Sequence, residues 1–111
     1  MSENTALSKN DAAALPRLNA PVDVFENEEH YLVRADVPGV DKEHIDIRFH
    51  DGELRLEATR HDGERGVVYR RSLGFGDDVD PDAIEASLDE GVLSLTLGKA
   101  ATRKPRRIAI A

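Results

Sequence analysis

Apolar and polar residues alternate with a period of two along most of this chain. Ile84, Ala86 and Leu88 share one parity, and Leu93, Leu95 and Leu97 share another, against Glu85, Ser87, Ser94 and Thr96. That period belongs to strands with one buried face. Between the two runs, Asp89-Glu90-Gly91 predicts a three-residue hairpin loop that ends on a glycine at positive φ. A lone hairpin cannot bury its apolar face, so the rest of the chain has to cover it.

The remaining segments repeat this grammar. Val22–Glu26 alternates, and His30–Asp36 places Tyr31, Val33 and Ala35 on one face before Pro38 and Gly39 stop it. Residues 41–43 form a polar connection with room for one helical turn. Ile45, Ile47 and Phe49 then alternate with Asp46, Arg48 and His50. Asp51-Gly52 is a turn signal, and Leu54, Leu56 and Ala58 continue on the far side of it. Residues 61–66 read as a loop, 67–73 as a strand, and 74–82 as a connector rich in Gly and Asp. About seven short strands without a core helix predict an all-β antiparallel protein. Because each strand keeps one polar face, a two-sheet sandwich is preferred to a barrel.

The chain divides into a flexible N-terminal arm at 1–20, the sandwich at 21–98 and a C-terminal extension at 99–111. Residues 8–15 have the capping residues of a short helix ended by Pro16, but the segment is shorter than an isolated helix needs. The extension carries Lys99, Arg103, Lys104, Arg106 and Arg107 and ends in Ile108-Ala109-Ile110-Ala111.

Composition narrows the function. Aromatics are 5%, so the core is built from Val, Leu and Ile. A net charge of -7 disfavours nucleic acid and anionic membranes as partners. No apolar run approaches the roughly 18 residues of a membrane span. No basic segment followed by an apolar one marks a signal peptide, so the expected compartment is the cytoplasm. The absence of Cys removes disulfides, thiolate metal sites and a Cys nucleophile.

Candidate chemistry is sparse. His30, His44, His50 and His61 invite a metal reading, and His50-Asp51-Gly52-Glu53 recurs as His61-Asp62-Gly63-Glu64. Both copies fall at turns, where Asp-Gly is expected for conformational reasons, so turn chemistry is favoured. Asp77, Asp78, Asp80 and Asp82 lack the spacing of a calcium loop and read as a solvated connector. Ser72, Ser87 and Ser94 sit in no nucleophile elbow. Gly63, Gly66, Gly74 and Gly76 make no phosphate-binding loop. No catalytic residue, metal or cofactor is assigned. Arg70 and Arg71 suit either an anion or ion pairs to neighbouring carboxylates.

Ala35-Asp36-Val37-Pro38-Gly39-Val40, Asp80-Pro81-Asp82-Ala83-Ile84, Ala86 with Gly91-Val92-Leu93, Lys104-Pro105-Arg106-Arg107 and the terminal Ile108-Ala109-Ile110 together resemble the α-crystallin domain of small heat-shock proteins, in a short microbial form. The resemblance spans about residues 21–111. It implies an immunoglobulin-like β-sandwich, ATP-independent holding of unfolding proteins, and assembly into homo-oligomers. It also implies that Ile108 and Ile110 dock in a groove whose candidate lining is Ile45, Ile47, Ile84, Ala86 and Leu88. Alternation alone leaves open which of these face the groove and which the core. An Arg in the strand of Tyr69, Arg70 and Arg71 implies a role at the dimer edge.

Two departures from the family pattern carry expectations of their own. Microbial members exchange a strand borne on a long loop, whereas residues 61–66 are too few to reach a partner and return. The dimer is therefore expected to form without exchange, by edge pairing through 67–73, the alternative being an isolated sandwich without a stable dimer. The arm has no aromatic residue, which, set against the family's aromatic-rich arms, implies reduced client binding and reduced large assembly. The competing reading is an adaptor of the CS-domain type, which uses a similar sandwich without the Ile-x-Ile tail.

Overall fold

The computed structural model describes residues 15–101 and 109–110. Eight strands form two four-stranded sheets. They are β1 (Arg17–Asn19), β2 (Val22–Glu26), β3 (His30–Asp36), β4 (Ile45–His50), β5 (Glu53–Asp62), β6 (Arg65–Gly74), β7 (Val79–Asp89) and β8 (Val92–Lys99). One sheet runs β1-β6-β5-β4 and the other β2-β3-β8-β7. Every pairing is antiparallel except β1 on β6. The polar connection before β4 takes one 3-10 turn at Lys42–His44.

The alternating residues of the central strands fill the space between the sheets. Val33 and Ala35 of β3, Leu54 and Ala58 of β5, and Leu95 and Leu97 of β8 are almost wholly buried. Val37 joins them from beyond β3, and no polar side chain is buried among the described residues. Such a core is held by apolar burial, at about 25 cal/mol per Å² removed from water.

The connections differ from expectation in three places. Asp89 pairs with Val92, so the β7–β8 loop has two residues, Glu90 and Gly91, both at positive φ (48° and 79°). This is the turn type whose twist matches the strands, and Asp51-Gly52 repeats it between β4 and β5. Residues 61–66 are not a loop. Asp62 pairs with Arg65, and the ladder of β5 and β6 runs on to a turn of Gly63 and Glu64. Backbone pairing continues past the last core residue, because a ladder needs no apolar side chains. The 74–82 connector likewise turns into β7 at Val79, with a bulge between Val79 and Ile84.

Arg17–Asn19, which the sequence leaves in the arm, is a strand. The Val68 amide donates to the Pro16 carbonyl (2.8 Å) and the Ala20 amide to the Arg70 carbonyl (3.0 Å). β1 thus lies along the outer edge of β6. The short chain from Asn19 to Val22 then sets β1 beside β2 on one flank of the sandwich, which leaves β4 and β7 together on the other.

Candidate docking groove

Residues that point inward from an edge strand are covered on one side only. On β4 these are Ile45, Ile47 and Phe49, opposite buried Ala58, Leu56 and Leu54 of β5. On β7 they are Ile84, Ala86 and Leu88, opposite buried Leu97, Leu95 and Leu93 of β8. Five of the six are partly buried and pack against the core. Ala86 is exposed although it faces inward. Its methyl group is too small to bridge toward β4, so Ile84 and Leu88 flank an apolar notch.

The two edges are held in place at one end of this groove. The Phe75 amide donates to the Gly52 carbonyl (2.7 Å), tying the β4–β5 turn to the connector before β7. A Cβ on Gly52 would lie 2.2 Å from the Gly76 carbonyl oxygen, so only glycine allows this approach. An open pocket of about 540 Å³ lies beside the junction, lined in part by Phe49, Val79 and Pro81.

The structure therefore sets all five candidate lining residues, Ile45, Ile47, Ile84, Ala86 and Leu88, on facing edges. Phe49 completes the row. Its parity with Ile45 and Ile47 was visible in the sequence, and only its edge position was not. Ile110 is 98% exposed, and Ile108 lies outside the described residues.

The base of the C-terminal extension is anchored near the Ile84 end of β7. The Lys99 amide donates to the Glu29 carbonyl (2.8 Å) and the Ala100 amide to the Asp78 carbonyl (2.7 Å). Lys99 Nζ bonds Glu26 Oε2 at 2.6 Å and sits 5.0 Å from the centre of the Tyr31 ring. Tyr31 donates its hydroxyl to Asp78 (3.2 Å) and packs on Phe75. The hydrogen bond to Glu26 raises the Lys99 pKa. Burial, then the bond to Asp78, raises that of Tyr31 above its ordinary 10.0. Both groups hold their protons more tightly folded than unfolded. Their contribution to stability is complete below their unfolded values and is lost as pH rises through the folded ones. The melting temperature should therefore fall above about pH 10, and Tyr31→Phe should reduce that fall; a pH series of thermal melts checks both.

The other candidates have plainer roles. Pro38-Gly39 and Gly91-Val92-Leu93 meet in space: the Val37 amide donates to the Gly91 carbonyl (2.8 Å), and a Cβ on Gly91 would lie 3.2 Å from Pro38 Cα. These motif residues join two turns at the end of the sandwich opposite the junction at Gly52. Tyr69 belongs to the core and accepts a bond from Arg60 (3.2 Å). Because Val68 and Arg70 bond toward β1, the Tyr69 amide points to β5. Arg70 is exposed, and Arg71 reaches the Ala20 carbonyl (3.5 Å). The edge expected to pair across a dimer is thus occupied by β1 over Val68, Tyr69 and Arg70, because residues 17–19 satisfy its outward backbone groups first.

His44 and His61 meet edge to face with ring centres 4.7 Å apart, and His50 contacts Asp51 (3.2 Å). No group of three or more metal-ligating side chains gathers among the described residues. Asp80 accepts the Asp82 amide (2.9 Å), which is turn chemistry.

Comparison with known proteins gives a consistent set. The model of the Hsp20/alpha crystallin family matches residues 23–111. The "18 kDa antigen 2" of Mycobacterium avium is 36% identical over 100 residues, covering 81% of this chain and 72% of that protein. The "18 kDa heat shock protein" of Clostridium acetobutylicum is 34% identical over 104 residues, covering 80% and 69%. Heat shock protein 16.0 from Schizosaccharomyces pombe superposes with a TM-score of 0.66 at 26% identity, over 85% of this chain and 99% of that one.

Proposed function

Since this chain belongs to the Hsp20/alpha crystallin family, we propose that it is an ATP-independent holdase that binds unfolding proteins and assembles through its C-terminal Ile-x-Ile segment. Proteins of this family are chaperones rather than enzymes; they form oligomers and bind clients. The observation that carries the finer reading is the β4–β7 groove, with the inward-facing yet uncovered Ala86 at its centre. An extended segment with apolar side chains two residues apart fits an edge groove, because alternate residues of a strand point the same way. Ile108 and Ile110 have that spacing. Each stabilises docking by about 1.5–3 kcal/mol before ordering costs, so the contact is reversible. Release uncovers apolar surface and two strand edges, which are the features that an unfolding client can pair with.

The dimer reading follows from the same sheet. The β5–β6 hairpin closes on a two-residue turn, so strand exchange by residues 61–66 is not part of the proposal. Pairing through the edge of Tyr69, Arg70 and Arg71 requires β1 to leave it.

The test joins activity to assembly. The purified chain should suppress aggregation of a thermally unfolding client without nucleotide. Ile108→Ala with Ile110→Ala should lower the mass measured by light scattering. A strict need for ATP would remove the holdase reading, and an unchanged mass would remove the role of the tail.

A further inference from the structure

The groove has a charge asymmetry that its apolar lining does not explain. β7 carries Asp80, Asp82, Glu85 and Asp89 and no basic residue, and Glu90 follows in the turn. Asp82, Glu85, Asp89 and Glu90 are exposed, and none has an ion-pair partner among the described residues. On the β4 rim, Asp46 is already paired with Arg48 (3.0 Å). The edge strand that forms one side of the groove thus bears a row of unneutralised carboxylates, of which Glu85 and Asp89 alternate with Ile84, Ala86 and Leu88 and point to the outer face of the sheet.

The segment proposed to fill it has the opposite character. Residues 99–111 hold five of the 15 basic residues of the chain and none of the 22 acidic ones. Arg103, Lys104, Arg106 and Arg107 stand directly before Ile108. With Ile108 and Ile110 seated between Ile84 and Leu88, the preceding residues extend along the groove at about 3.3 Å each. Either direction of docking brings them to carboxylates, Asp80 and Asp82 at one end or Asp89 and Glu90 at the other. Charges interact over roughly 8–10 Å at ordinary ionic strength, so attraction between the two runs does not require direct ion pairs.

Resting on the tail-docking reading, we infer that the acidic edge of β7 and the basic run 103–107 of a second copy make docking salt-sensitive, so that ionic strength sets how much groove stands open. The apolar contact alone predicts the reverse or no response, because salt does not screen burial.

The test uses the full-length Ile108→Ala/Ile110→Ala chain, whose own tail does not compete, and a fluorescent synthetic peptide of residues 99–111. Affinity read by anisotropy should fall at least about fivefold between 50 and 500 mM NaCl. Glu85→Lys with Asp89→Lys should weaken low-salt binding by a similar factor and flatten the salt response. A peptide carrying Arg106→Glu and Arg107→Glu should recover binding on that charge-reversed receptor. Affinity that ignores salt and both charge changes, yet still requires the two Ile, overturns this inference and leaves docking intact. Equal binding of a peptide with Ile108→Ala and Ile110→Ala overturns the docking reading itself.

Discussion

Ala86→Phe should abolish tail-dependent assembly while leaving the fold intact. The position faces inward from an edge strand and is exposed, so a larger side chain has open space rather than a packed core to enter. A phenyl ring between Ile84 and Leu88 would lie where the proposed Ile side chains go. Phe also suits a half-buried strand, so the melting temperature should hold or rise. Losing even one buried Ile contact of about 1.5–3 kcal/mol reduces affinity about tenfold or more. Light scattering should then give the same reduced mass as the double Ile substitution. Ala86→Ser, which leaves the notch open, should behave as the unaltered chain. A full-sized assembly from Ala86→Phe, melting normally, would show that the tail docks elsewhere.

Gly52→Ala should be the most damaging small substitution in the sandwich. Gly52 has φ of 77°, and the new Cβ would stand 2.2 Å from the backbone oxygen of Gly76. Neither side can yield cheaply, because the Phe75 amide bonds the Gly52 carbonyl across the same contact. We expect a loss of about 3 kcal/mol, the upper end of the range for strained backbone sites, because a clash adds to the positive φ. For a domain of this size that lowers the melting temperature by about 15 °C. Gly63→Ala is the control: its φ is 65°, but nothing lies within 4 Å of the added carbon. It should cost only about 1 kcal/mol, the conformational penalty alone. The pair separates steric contact from backbone preference in one calorimetric comparison.

Much of the sandwich was legible because its strands obey a simple rule. The parity of Leu54, Leu56 and Ala58, or of Leu93, Leu95 and Leu97, names the buried face directly. β1 was not legible, since Arg17-Leu18-Asn19 is too short to show a period. The ends of β5 and β6 were not, because His61-Asp62 and Arg65-Gly66 are polar and pair through backbone alone. Nor did the bulged start of β7, Val79 to Ile84, carry an alternation. For the groove, parity made Ile45, Ile47, Ile84, Ala86 and Leu88 one-faced residues, and only the family resemblance joined them as a lining. Whether such a residue is covered depends on which strands end the sheets. That is a property of strand order, which no single segment encodes.

β1 has a consequence for growth of the assembly. A sheet edge is a template, and a protein proposed to bind exposed strands runs the hazard of propagating its own. Here the sheet that contains β6 ends in a strand of three residues, in parallel register and exposed throughout. Few backbone groups remain beyond it for another chain to match, and a short strand recruits poorly. That flank is therefore a poor template for a further chain, and under the proposed tail docking growth would fall to the opposite flank.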